Sequence, residues 1–391
     1  MSLTYCSEGV KPKCTQSRWL HCYVDAAQHA IIIEEFFLDF YTAKAYAKVE
    51  LVLSLPESFS ARIIGRPVCI ACLDQHLILQ YGHADSRHLH FIYYNATTDT
   101  AQFFDDGSEY LERAFTALHS VECLMSPSLT CALFRLPQAA MSDRKWSKLL
   151  KAEIAQNGSE ELRFGNVREC FLRDRQNQTV AFNPRVQENI VTFILIDNYC
   201  ATAQFLVYDI ESKKTAKEFQ LSISSRGTRR TDEENGNEEE KVYYHLHQCN
   251  AAYCRSGDVL VLLCVVYSHM LPEEAMIKLC FFDAETFELN GVPQLRSIRN
   301  LPFPIRGLNS AKDWFYPVFS PCDSRVAVWM FQKNAPPVIC ASACRFKKPF
   351  TLKKLCRAAV CRVCLAHKIH QLPLPAQLLS FLKFATEKET E

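Results

Sequence analysis

Tyr253-Cys-Arg-Ser-Gly-Asp-Val-Leu-Val261 is a short polar turn that runs straight into β-branched and apolar residues. Glycine and Asp suit a tight turn, and valine-rich alternation suits a strand. The same half-unit recurs at Leu73-Asp-Gln-His-Leu-Ile-Leu79, Phe182-Asn-Pro-Arg-Val-Gln-Glu-Asn-Ile-Val-Thr-Phe193 and Phe319-Ser-Pro-Cys-Asp-Ser-Arg-Val-Ala-Val328, with Met125-Ser-Pro-Ser-Leu-Thr-Cys-Ala-Leu133 as a fifth candidate. A second half follows in three of these units: Phe91-Ile-Tyr-Tyr-Asn-Ala-Thr-Thr98, Phe205-Leu-Val-Tyr-Asp-Ile-Glu-Ser212 and Leu279-Cys-Phe-Phe-Asp-Ala-Glu-Thr286. Each is an apolar strand ending in an aromatic residue, then an Asp or Asn that can cap its own turn.

The two-part unit resembles a divergent β-propeller blade of the WD-repeat kind. In that family an inner strand begins after a Ser-Pro-Asp-Gly-like turn, and a later strand ends in a Tyr-Asp-x-x-Thr-like turn. The recurrence is irregular, at about 53 to 71 residues against 40–45 for standard blades, and the chain has no Gly-His…Trp-Asp signature. Glycine is scarce, at 11 of 391 residues, which counts against a tightly turned consensus. The number of blades is therefore not set by the sequence. The competing reading is an irregular β-sandwich or α+β domain with ordinary hairpins.

Around these units, residues 1 to about 30 read as an irregular lead-in. Ala30–Leu55 reads as strands with a short helix around Tyr41–Val49. Ala140–Gln156 places Trp146, Leu149, Leu150 and Ile154 at helical spacing behind Ser142, a plausible cap, so an inserted helix is expected over 140–156. Ser224–Lys241 is a basic-then-acidic polar run without an apolar residue, expected to be a disordered loop between strands.

Composition is that of a folded globular chain: 48% hydrophobic, 22% charged and 12% aromatic, with a net charge of +1. Charge is unevenly placed. Between Ser324 and Thr386 there are eleven Lys or Arg and no Asp or Glu, which leaves 33 basic against 43 acidic residues elsewhere. A basic segment thus sits on an acidic body, suited either to docking an acidic partner or to a solvated helical face. The longest apolar run, Val259–Tyr267, falls far short of the roughly 18–20 residues of a spanning helix, and the opening residues do not resemble a signal peptide. Nineteen cysteines, an odd number spread through the chain, fit free thiols in a reducing compartment. The chain is expected to be intracellular and cytoplasmic, with the nucleus also open to it. No membrane and no nucleic-acid partner is expected, and Asn95, Asn157 and Asn177 carry no meaning as glycosylation sites.

No catalytic constellation is evident: there is no Gly-x-Ser-x-Gly elbow, phosphate-binding Gly-rich loop or His-Glu-x-x-His. The pairs His88–His90 and His245–His247 lack a third ligand. Cys361-x-x-Cys364-x-x-His367-x-x-His370 looks like a zinc quartet, but a finger needs a loop of about 12 residues between its Cys pair and its His pair. No metal, no cofactor and no catalytic residue is expected.

The basic segment carries the functional signal. After Pro349, Thr351 can cap a helix starting at Leu352, where Leu352, Cys356 and Val360 recur at i, i+4 and i+8, with Leu355, Ala359 and Val363 beside them. Leu372-Pro373-Leu374-Pro375 then fixes an extended segment, and Ala376–Lys383 forms a last amphipathic helix with Leu378, Leu379 and Leu382 on one side. This arrangement closely resembles the SOCS box, and within that group the WD-repeat-and-SOCS-box proteins. In that family a Ser/Thr/Pro-Leu-x-x-x-Cys-x-x-x-aliphatic helix enters elongin C, and a downstream Leu-Pro-x-Pro-x-x-Leu element selects cullin-5. The resemblance implies that Leu352, Leu355, Cys356 and Val360 bind elongin C, itself paired with elongin B. It assigns Leu372, Pro373, Leu374, Pro375 and Leu378 to cullin-5 with its RING-box subunit.

The expected fold is thus mainly β: a divergent β-propeller body over 1–345 that binds an unknown protein substrate, followed by a small C-terminal α-helical SOCS box over 349–386. The implied function is substrate recognition for an elongin B/C–cullin-5 ubiquitin ligase, with no chemistry of its own. The rivals are a propeller scaffold whose C-terminal helices are only structural, and an RNA- or phospholipid-binding protein that uses the basic segment.

Overall fold

The computed structural model describes residues 18–25, 29–39, 44–55, 63–73, 76–83, 90–105, 122–126, 131–137, 146–155, 161–163, 170–173, 178–184, 186, 190–196, 201–212, 214–223, 228–229, 240–241, 244–254, 256–268, 275–298, 315–320, 323, 325–332, 335–343, 352–364, 369 and 371–383. Among them, six meandering antiparallel sheets follow one another along the chain. The first holds β1 (Arg18–Asp25), β2 (Ala30–Asp39) and β3 (Lys44–Ser54). The second holds β4 (Ile63–Leu73), β5 (His76–His83), β6 (His90–Asn95) and β7 (Thr100–Asp105). The third runs through β8 (Glu122–Met125), β9 (Cys131–Pro137), β10 (Trp146–Ala155) and β11 (Glu161–Arg163), and β12 (Cys170–Arg173) turns back onto β10. The fourth holds β13 (Gln178–Phe182), β14 (Ile190–Ile196), β15 (Thr202–Asp209) and β16 (Lys214–Ser222). A two-residue ladder, β17 (Thr228–Arg229) with β18 (Glu240–Lys241), leads to the fifth sheet: β19 (Tyr244–Tyr253), β20 (Val259–Ser268), β21 (Ala275–Asp283) and β22 (Gln294–Ile298). The sixth is β23 (Phe315–Phe319), β24 (Arg325–Gln332) and β25 (Ala335–Ala343).

The first strands of successive sheets lie side by side: β1 beside β4, β4 beside β8, β13 beside β19 and β19 beside β23. The last strand, β25, runs beside β3 and brings the sixth sheet to the first. Sheets that meet through their first strands and close on themselves form a β-propeller, with those strands nearest the axis. The strand that begins after the Ser-Pro-Asp-Gly-like turn is therefore the second of each blade. The sequence reading had placed it only as an inner strand.

The core lies between neighbouring blades, and it explains why β20 is apolar along its length. A second strand has a blade on each side, so both of its faces are buried and its sequence need not alternate. Val259, Val261, Leu263 and Val265 pack with Phe319, Val326 and Val328 of the sixth sheet. Leu260, Leu262, Cys264 and Val266 pack with Ile194 and Phe205 of the fourth. Phe205 meets Phe282 edge-on at 4.7 Å between centroids, and Phe91 meets Phe134 at 5.1 Å between the second and third sheets. Polar links cross the same interfaces: Thr192 Oγ1 lies 2.7 Å from the buried Tyr253 hydroxyl.

Blade turns repeat with interchangeable parts. In the turn from first to second strand, the amides of Ser126, Cys254 and Ser320 donate to the carbonyls of Cys131, Val259 and Arg325, each at 2.8 Å. The side chain of the first residue accepts the return amide: Ser126 Oγ at 3.1 Å, Cys254 Sγ at 3.2 Å and Ser320 Oγ at 3.0 Å. The fourth turn position is left-handed, with φ 71° at Gly257 and 55° at Asp323. Asp tolerates that region, so the turn survives without glycine. After the third strand, Asn95 Oδ1 accepts from the Thr97 amide, Asp209 Oδ1 from Glu211 and Ser212, and Asp283 Oδ1 from Glu285 and Thr286, at 2.8 to 3.3 Å. These are the Asx-capped turns read from the sequence.

Three sequence expectations fail. The lead-in contains strand β1, paired with β2 from Arg18↔Phe37 to Asp25↔Ala30. The helix expected at Tyr41–Val49 is strand β3 from Lys44 onward. Of the helix expected over 140–156, the described residues, Trp146–Ala155, are strand β10, held by β9 on one edge and by β11 and β12 on the other. Positions 146, 150, 152 and 154 also fit period two, and pairing on both edges decides between the periods. Of the polar loop at 224–241, the described part is the ladder of β17 with β18; residues 230–239 lie outside the described residues.

Candidate functional site

Beyond β25 two helices form, α1 (Leu352–Val363) and α2 (Ala376–Lys383), with the bounds expected from the sequence. Alpha1 is composed of Leu, Lys, Arg, Ala, Cys and Val, with no Gly or Pro to break it. Alpha2 begins directly after Pro375, whose carbonyl accepts the amides of Leu378 at 2.9 Å and Leu379 at 3.0 Å. Proline suits that place because the first amides of a helix have no internal partner.

The two helices share a small core of their own. Ile369 and Leu382 are buried at its centre, with Val360, Cys364, Leu372, Leu374, Leu379 and Phe381 packed around them. The linking segment is bent rather than plainly extended. The Leu374 amide donates to the Leu372 carbonyl at 2.8 Å and the Leu372 amide to the Ile369 carbonyl at 3.1 Å. The bend turns Leu372 and Leu374 inward and leaves Pro373 and Pro375 exposed. The nine residues singled out from the sequence thus divide. Leu352, Leu355, Cys356, Pro373, Pro375 and Leu378 are exposed, whereas Val360, Leu372 and Leu374 are half-buried.

Among the described residues five large apolar side chains are exposed, and three of them are here: Leu352 at 76%, Leu355 at 49% and Leu378 at 48%. Cys356 and Ala359 are exposed with them on the outer side of α1. Apolar groups gathered on one helical face without cover are what helix-in-groove recognition uses.

The opposite side of α1 faces the propeller. At about 100° per residue, Arg357 points about 140° round the helix from Leu352. Its Nη1 lies 3.4 Å from Asp258 Oδ1, with the two side chains 7% and 3% exposed. Its Cζ sits 4.1 Å from the centroid of the Phe381 ring of α2. Asp258 belongs to the Cys254–Val259 turn of the fifth sheet. Sequence reasoning missed this pair: it counted Arg357 among the basic flank, and no local pattern links residues 99 apart.

A family model for the SOCS box matches residues 348–383. The chain carries a SOCS box. SOCS boxes link substrate receptors to elongin B/C–cullin ubiquitin ligases, and the proteins that carry them act as adaptors in those ligases. The SOCS box match covers both helices and the bent segment between them. No curated protein matches the chain at a significant level. Similar solved structures include the β-propeller domain of the trilobed protease from Pyrococcus furiosus, at 11% identity over 74% of this chain and 99% of that one, TM-score 0.29. The Dos1 propeller aligns at 10% identity over 81% and 77%, TM-score 0.35. An oligogalacturonate lyase in complex with manganese aligns at 10% over 84% and 96%, TM-score 0.37. At these TM-scores the likenesses are loose, and the propeller assignment rests on the strand order and sheet contacts given above.

Proposed function

We propose that this SOCS-box chain is the substrate-recognition subunit of an elongin B/C–cullin-5–RING ubiquitin ligase. The observation that carries the proposal is the uncovered stripe of Leu352, Leu355, Cys356 and Ala359 on the outer side of α1, inside the matched box. In this reading that stripe enters a groove on elongin C, with Val360 at its edge. Cys356 serves as a small, soft packing group and not as a nucleophile. The exposed Pro373, Pro375 and Leu378 meet cullin-5, while Leu372 and Leu374 hold the segment in shape from behind. The acidic propeller, over about 1–345, binds the target protein in the cytoplasm. The box, over about 349–386, brings that target to the ligase. Transfer is then accelerated by proximity, since a tethered target meets the charged E2 at a high effective concentration.

The test is affinity purification of the full chain and of its Leu352→Ala/Cys356→Phe variant from cells, read by mass spectrometry. Elongin B, elongin C and cullin-5 should accompany the parent chain and be absent from the variant, while both chains stay folded. Equal recovery of elongins by both would sink the assignment, and recovery by neither would favour the scaffold reading.

A further inference from the structure

We propose that Arg357 and Asp258 are positioning residues that keep the box docked on the fifth sheet while elongin C occupies the outer side of α1. Body and ligase would then be joined in one fixed geometry. The inference rests on the ligase reading above and goes beyond it, because that reading requires only a tether. Three observations carry it.

First, the Arg357–Asp258 pair is buried, not a rim contact, with both side chains less than a tenth exposed. A buried charge left in place without its partner is costly, so removing either side chain leaves the docked arrangement with an uncompensated charge. Second, each partner is itself held in place. The guanidinium lies over the Phe381 ring, which ties α1 to α2. On the body side, the Asp258 carbonyl accepts the Ala284 amide at 3.0 Å, and the Cys254 amide closes the turn onto Val259 at 2.8 Å. Asn183 of the fourth sheet donates to the Gly257 carbonyl at 3.3 Å, so the turn is braced by the neighbouring blade. Third, the docked side and the exposed stripe lie on different sides of one helix, so occupying the stripe does not require Arg357 to leave Asp258. Electrostatic pairing of this kind fixes orientation more than it adds affinity.

The test uses the full chain, free and bound to elongin B/C, with Asp258→Ala in the body and Arg357→Met in the box as independent variants. Hydrogen–deuterium exchange should show α1 and the 254–259 turn protected in the parent chain, free and bound alike. Either variant should raise α1 exchange by about tenfold or more, while elongin B/C affinity stays within about threefold of the parent. In a reconstituted ligase the parent should ubiquitinate a narrow set of its own body lysines, mapped by mass spectrometry, and the variants a wider set. A merely structural role for the pair would not widen that set. Loss of protection at 254–259 on elongin binding would overturn the proposal, as would an unchanged lysine pattern in both variants. If the parent chain bound no elongin yet kept its α1 protection, the ligase reading would fall, a different outcome from elongin binding with the box released.

Discussion

Leu352→Ala combined with Leu355→Ala gives the sharpest quantitative test of the elongin-facing stripe. Each substitution removes three carbons, worth about 2.4 kcal/mol at about 0.8 kcal/mol per buried methylene. Only surface that is now exposed can be newly buried by a partner. Leu352, at 76% exposure, then contributes about 1.8 kcal/mol and Leu355, at 49%, about 1.2 kcal/mol. Together they amount to about 3 kcal/mol, or roughly a hundredfold in Kd at about 1.4 kcal/mol per decade. Because both side chains are exposed, the melting midpoint should stay within about 1 °C of the parent. Isothermal titration of the purified full chain with elongin B/C measures the first quantity, and differential scanning fluorimetry the second. A change in Kd below about threefold would refute the assignment of this face. A large drop in melting midpoint would show that the stripe is structural.

Pro373→Ala/Pro375→Ala/Leu378→Ala should leave elongin recovery unchanged and reduce cullin-5 recovery in pull-downs; loss of both in parallel would mean that the box acts as one unit. Leu372 and Leu374 are left out of that variant because they pack in the box core. Thr192→Val removes the partner of the buried Tyr253 hydroxyl and should cost about 1–3 kcal/mol in chemical denaturation, with an unchanged midpoint as the contrary result. Burial, helped by its hydrogen bond to Asp99, pushes the Tyr94 phenol up to about 12. Its contribution to stability should be complete below about pH 10, the ordinary tyrosine value, and fade as pH rises from there toward 12. Denaturation of the parent and of Tyr94→Phe between pH 9 and 11.5 checks this, and parallel curves would refute it.

What the sequence showed of this fold was its turn chemistry. Asn95, Asp209 and Asp283 announce the end of a third strand because an Asx side chain satisfies its own turn amides, a requirement local enough to be read in a few residues. The shortage of glycine misleads only where glycine is taken as obligatory: Asp323 fills the left-handed place that Gly257 fills one blade earlier. What stayed hidden was settled by distant partners. Trp146–Ala155 fits both helical and strand periods, and β9, β11 and β12 impose the strand. In the box, helix bounds and exposed residues were legible because amphipathic spacing and proline are local signals. The inward turn of Leu372 and Leu374, and the reach of Arg357 to Asp258, depend on packing that spacing alone does not encode.

The order of strands also bears on how the chain is made. Every sheet of the propeller is assembled from strands consecutive in sequence and, apart from β12 on β10, paired strands are neighbours along the chain, so each blade can pair as soon as its own residues have emerged from the ribosome. Arg357 reaches further, looking back 99 residues for Asp258. Because the turn that bears Asp258 is braced by the blade before it and flanked by the blade after it, the box finds its seat only once the fifth blade stands between its neighbours. A nascent chain would thus display its docked box last, after the receptor to which it belongs has taken shape.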